Sequence, residues 1–219
     1  MPDATPTSSR TTATRPYRSA RRAQQAEQTR AAVLAAARDV FAERGWAGAG
    51  VREIAAVAGV SVETVYAAVG RKPALFAAAI DGAVVGDDEP VPLVERRAFQ
   101  VLGEGATLAA RAAAAAGLVT EINGRTARLY LALREGAASE PDLARRLVAD
   151  EANRRVENER GLAMVLCRAP TREEVDLLWA LSSVEMYDAL VTRAGWSPST
   201  YQAWLQRMII GLDDQESTR

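Results

Sequence analysis

The residues best placed to do chemistry lie in one run, 45–76, GWAGAGVREIAAVAGVSVETVYAAVGRKPALF. It carries Arg52, Ser61, Glu63, Thr64 and Tyr66, and just beyond them the chain's only lysine, Lys72. The run reads as two short amphipathic segments joined by a tight glycine turn, the pattern of a DNA-binding helix-turn-helix. Hydrogen-bonding and cationic side chains on a rigid rod suit base edges and phosphates.

The elements that must position these groups follow from local rules. Ile54, Ala55 and Val57 are expected on one side of the first short helix, and Ala58-Gly59-Val60 supplies a small residue, a turn glycine and an apolar plug. Ser61 starts the second helix as its N-cap, because a serine oxygen can accept from the free N–H groups of the first turn. Val65 and Val69, four apart, face inward. Val62, Glu63, Thr64, Tyr66 and Ala67 are left on or near the outer side.

In order and spacing the stretch from about residue 24 to 80 resembles the TetR family of bacterial transcriptional regulators. The matching residues are Gly45-Trp46, Ile54-Ala55, Ala58-Gly59-Val60-Ser61, Val65-Tyr66 and Gly70-Arg71-Lys72-Pro73-Ala74-Leu75-Phe76. The resemblance implies phosphate contacts for Lys72 and Tyr66, and a phosphate or base-edge contact for Thr64. It places Val62, Glu63 and Ala67 against bases, where glutamate can accept from cytosine N4 and an apolar side chain can touch a thymine methyl. Arg52 corresponds to a groove-facing position that could bind guanine bidentately. Two departures stand out. Gly50 occupies the N-cap of the first motif helix where the family carries Thr or Ser, and Ala67-Ala68 follow Tyr66 where the family often carries an aromatic or His.

Composition closes other routes. The 219 residues include no histidine and one cysteine, Cys167, which removes histidine triads, His-ligated metal sites and intrachain disulfides. Cys167 is expected to be a buried helix residue. No cofactor and no metal is called for. No apolar run reaches the ~18 residues that span a bilayer, and the N-terminus has no signal-peptide core, so a cytoplasmic protein without membrane contact is expected. Residues 1–80 hold 11 Arg/Lys against 6 Asp/Glu, whereas 81–219 hold 16 against 22. A basic front half and an acidic back half fit a phosphate-binding module joined to a body kept away from DNA.

The chain divides into a disordered basic tail (1–22), a helix-turn-helix domain (23–72), a connecting helix (73–86) and a helical body (87–219). The tail's arginines fit either a backbone-tracking arm or a solvated segment. The expected fold is all-α with about nine helices: a three-helix reader ahead of a ligand-binding and dimerisation domain. The first helix is expected over 24–44, ended by Gly45. The body should carry helices over 93–122, 125–138 and 139–167, a helix opened by the capping box Thr171-Arg172-Glu173-Glu174 that stops at Gly195, and a last one from Pro198 to Leu212.

The last two helices bear more apolar surface than a hairpin hides. The resemblance implies that they pair two copies across a two-fold axis through Leu178, Leu181, Tyr201, Trp204, Leu205 and Met208; a monomeric core is the other reading. It also implies a small-molecule effector among the middle helices, with Asn123, Arg128, Tyr130, Arg134, Trp179, Met186 and Tyr187 as candidate wall residues. The function expected is sequence-specific DNA binding by a homodimer, as a repressor released from a palindromic double-stranded operator by that effector. A helical adaptor that has lost DNA binding is the alternative. An all-α enzyme comes behind both, since capping explains the acidic pair Glu173/Glu174.

Overall fold

A computed structural model describes residues 15–87 and 91–214; the part of the basic tail before residue 15 lies outside them. The order is α1 (Arg15–Gly48), α2 (Val51–Val57), α3 (Val62–Ala68), α4 (Lys72–Val85), α5 (Arg97–Gln100), α6 (Leu108–Ala137), α7 (Pro141–Leu166), α8 (Arg172–Leu181), α9 (Val184–Tyr187) and α10 (Pro198–Asp214). Among the described residues there are helices and turns only, and none of the helices is long and apolar enough to cross a membrane.

Two apolar cores hold these helices. The first joins Val33, Phe41, Ile54, Val65, Phe76 and Ile80 to Leu129, Leu133 and Leu143 from α6 and α7. The expected boundaries at 72/73 and 86/87 therefore do not divide the packing: the ends of α6 and α7 complete the interior of the reader. The second core lies among α5, α6, α7, α8, α9 and α10 around Leu162, Tyr201, Leu205 and Ile209.

Local chemistry sets several element ends. Ser61 Oγ accepts from Thr64 N–H and opens α3, while Gly59, at φ +68°, makes the turn before it. At Gly45, φ +70°, α1 kinks, and helical bonding resumes to Gly48. Thr171 and Glu174 form the reciprocal capping box that starts α8.

Other expectations fail for identifiable reasons. α1 begins at Arg15, so residues 15–22 of the expected disordered tail continue a helix. α6 runs unbroken through Asn123-Gly124, since the Asn123 amide donates to the Ser182 carbonyl at 3.0 Å and is held in place as a buried wall residue. Residues 93–103 form short single turns and 104–107 are irregular, rather than the start of a long helix. The helix expected to run from 171 to 195 breaks at Ser182-Ser183, where Ser183 caps α9, and residues 188–193 adopt a wider π turn. Cys167 is exposed, in the left-handed conformation that closes α7.

Candidate nucleic-acid interface and internal cavity

The outward side of α3 presents Glu63, Tyr66 and Ala67, all exposed, with Tyr66 at 48%. Val65 is fully buried on the opposite side and anchors the helix. Val62 and Thr64 are half-buried; Val62 leans on the first core, and the Thr64 hydroxyl lies 3.1 Å from Ser61 Oγ. Glu63 titrates below its ordinary value, because its own backbone N–H and then Ser61 bond its carboxylate, so it faces solvent as an anion. Arg52 on α2 is exposed nearby in sequence. Gly50 supplies no side-chain cap to α2, and Val57, expected inward, is 59% exposed at that helix's C-terminal end.

Behind α3, Arg30 on α1 donates to the Ala68 carbonyl at 2.8 Å, satisfying an acceptor in the last turn of α3. No periodicity marked Arg30, because its partner is 38 residues away.

Lys72 has a different immediate task from the one expected. Its ammonium donates to the Trp46 carbonyl at 2.6 Å and sits 4.3 Å from the Trp46 ring centroid. Burial lowers its pKa, with the Glu135 carboxylate acting in the opposite sense. Trp46 in turn packs with Phe76 and Phe41, at centroid separations of 5.6 and 6.1 Å. Lys72 thus fastens the start of α4 to the end of α1, and the exposed neighbour Arg71 is the cation free of that duty.

The body grips this frame at two places on α6. Glu135 accepts from the backbone N–H groups of Trp46 and Ala47 at 3.2 and 3.3 Å, just past the kink at Gly45. Gly136 beside it is bare of necessity: a Cβ there would lie 2.7 Å from Trp46 Cγ. Ten positions earlier, Arg125 donates to the carbonyls of Ala83 and Val84 at the end of α4. Glu135 and Arg125 were not among the sequence candidates, since only folding brings them to their partners.

Between these grips lies a cavity of about 570 Å³, walled mainly by α4, α6 and α7, with single or paired residues from α1, α5, α8, α9 and α10. Leu118, Val119, Ile122, Leu162 and Val184 give it an apolar lining. Three of the seven predicted wall residues line it, Asn123, Tyr130 and Arg134. The other four do not. Arg128 is exposed, Trp179 lies under the Arg154 guanidinium at 4.7 Å, Met186 packs on the second core, and Tyr187 is buried edge-on against Tyr201. The polar wall that sequence reasoning missed comes mainly from α7: Arg146, Asp150, Arg154 and Glu157, four or three residues apart on one helical face. Tyr130 donates to Asp150 at 3.2 Å, and Arg146 bridges Asp150 and Asp81.

The predicted pairing surface also changes. Tyr201 and Leu205 are fully buried and Leu178 nearly so, inside the second core of a single chain, so these three do not face a partner. Leu181, Trp204 and Met208 are half-buried, and Leu177 is 36% exposed. Period alone cannot say which side of a two-sided apolar helix meets its own chain.

With this geometry established, likeness to known proteins becomes informative. The family model for bacterial regulatory proteins of the tetR family matches residues 33–79, from mid-α1 to α4. The reader thus resembles the DNA-binding segment of that family. A transcriptional regulator from Rhodococcus sp. Rha1 is similar in structure, with 29% identity, a TM-score of 0.61, and coverage of 83% of this chain and 94% of that one. A proposed transcriptional regulator from Pseudomonas aeruginosa PAO1 shares the fold at 22% identity and TM-score 0.61, covering 86% and 91% of the two chains. No curated protein matches the sequence. The TetR-family match covers the reader, and the structural likeness extends the same architecture over the body.

Proposed function

We propose that this chain is a TetR-family DNA-binding protein acting as a homodimeric repressor, released from a palindromic operator when a small molecule fills the cavity. The observation that carries the reading is the double grip of α6: the helix that walls the cavity with Asn123 and Tyr130 also holds both ends of the reader frame through Arg125 and Glu135. A ligand that shifts α6 is thereby coupled to α1 and α4. To release DNA it must bind the non-operator geometry more tightly, with couplings of about 1–3 kcal/mol being typical.

On DNA, Arg52, Val62, Glu63 and Ala67 read bases, and Tyr66, Thr64 and Ser61 contact the backbone. Lys72 supports the backbone contact by setting the start of α4, and Arg71 supplies exposed charge beside it. Two copies are needed because one short helix reads few base pairs, whereas paired helices span half-sites ~34–36 Å apart. Leu177, Leu181, Trp204 and Met208 on α8 and α10 are the residues we assign to the pairing face.

The test is a salt-titrated shift assay with DNA from the chain's own upstream region. Binding should fall steeply with salt and prefer one near-palindromic sequence. Glu63→Gln and Arg52→Ala should change which sequence is preferred, and Arg71→Ala should weaken all sequences alike. Binding that is indifferent to salt and sequence would favour the adaptor reading instead.

A further inference from the structure

The polar belt of the cavity carries more acid than base. Among the described residues, six carboxylates and four guanidiniums line it. The arginines are mostly committed. Arg146 serves both Asp81 and Asp150; Arg134 lies 2.8 Å from Glu151 and 2.5 Å from Glu185. Arg30, at the rim, bonds the Ala68 carbonyl. Arg154 donates to the Trp179 carbonyl at 2.7 Å and lies over the Trp179 ring.

Asp87 is paired with Arg96, 2.8 Å away, which leaves Glu157. It lines the cavity one turn beyond Arg154 and makes no hydrogen bond among the described residues. The groups around it feel a negative field. Burial raises the pKa of Glu157 and the Asp150 charge adds to it; burial likewise raises Asp150, against Arg146, with Asp81 adding; and Tyr130 is raised by burial and then by Asp150. An apolar chamber of this size is a place for a small molecule, and its charges select which kind.

We propose that the cavity accepts an amphipathic cation, an apolar body bearing a single amine or quaternary ammonium, with Glu157 as its counter-charge. The proposal rests on the effector reading above and specifies the ligand class. A hydrophobic anion would meet an acidic belt whose guanidiniums are already engaged. A neutral molecule would leave the half-buried Glu157 carboxylate with only the through-space attraction of Arg154 and Arg160, a weaker compensation than a direct pair with a bound cation. The cation satisfies Glu157 and relieves Asp150 together, while its apolar part lies against Leu118, Val119, Ile122 and Leu162.

Three probes with one apolar body decide the matter: 6-phenylhexylamine, 6-phenylhexanol and 6-phenylhexanoate, titrated into the full chain by calorimetry. The amine should bind tightest and the hexanoate weakest. In Glu157→Gln the amine should lose roughly ten- to a hundredfold in affinity, the range for a hydrogen bond to a charged group, and the alcohol should lose little. Equal or tighter binding of hexanoate in the wild-type chain overturns the charge assignment while leaving the effector cavity standing. An unchanged amine affinity in a folded Glu157→Gln chain removes Glu157 as the counter-charge. Binding of none of the three overturns the effector reading and this inference with it.

Discussion

The outer face of α3 and the internal cavity are organised at opposite ranges along the chain. The reading face comes from seven consecutive residues whose orientation is set by a serine cap, a turn glycine and one buried valine. The cavity gathers residues from α1 to α10, and its charged groups are meaningful only in pairs such as Arg146 with Asp81, 65 positions apart. Local rules give a surface that a partner must complete; long-range packing gives a chamber whose unmet charge chooses its guest. The two regions nevertheless share an interior, because Leu129, Leu133 and Leu143 sit in the reader's core.

That shared interior gives the largest expected effect. Residues 15–87 expressed alone should lack a cooperative thermal transition, since the first core would lose its α6 and α7 side; a sharp melt followed by circular dichroism would make the reader autonomous and undo the comparison. In the full chain, Leu133→Ala should cost about 2–5 kcal/mol in denaturant titration, and it should weaken DNA binding although Leu133 is fully buried in the first core. Next in size is Ser61→Ala, which should lower stability by about 1 kcal/mol through loss of the α3 cap. An unchanged midpoint would mean that the Arg30 bond to Ala68 suffices to hold the helix. The smallest effect is on the cavity side and depends on pH. Burial raises Glu157 with Asp150, Arg154 and Arg160 as its charged neighbours, so the native chain retains a proton that the unfolded chain releases. Stability from this source is complete below the ordinary carboxylate pKa and is lost as pH rises through the raised one. Glu157→Gln should flatten that part of the stability profile, and an identical slope would show that Glu157 is not the group responsible.

The same contrast of ranges explains what the sequence disclosed. Ser61, Gly59, Gly45 and the Thr171–Glu174 box act within four residues, so their effects are written where they act. Asn123-Gly124 looked like a break because its stabilising partner, the Ser182 carbonyl, lies 59 positions away. Cys167 looked like a core residue by type, yet it occupies the left-handed end of α7. Tyr201, Leu205 and Leu178 looked like a pairing surface because an apolar stripe does not reveal whether it faces its own chain or another. Among the cavity residues, Tyr130, Asn123 and Arg134 were recoverable from α6, whereas Asp150 and Glu157 resembled ordinary surface charge on a polar helix.

The attachment of α6 to the reader at Arg125 and Glu135 has a mechanical outcome. Ten helical residues separate these anchor points by about 15 Å. If α6 pivots near its Tyr130 midpoint, one anchor advances as the other retreats, and the reader turns instead of sliding. In a symmetric pair, such a twist changes the pitch at which the two reading rods meet the duplex, and a few degrees at the lever become ångströms at its tips.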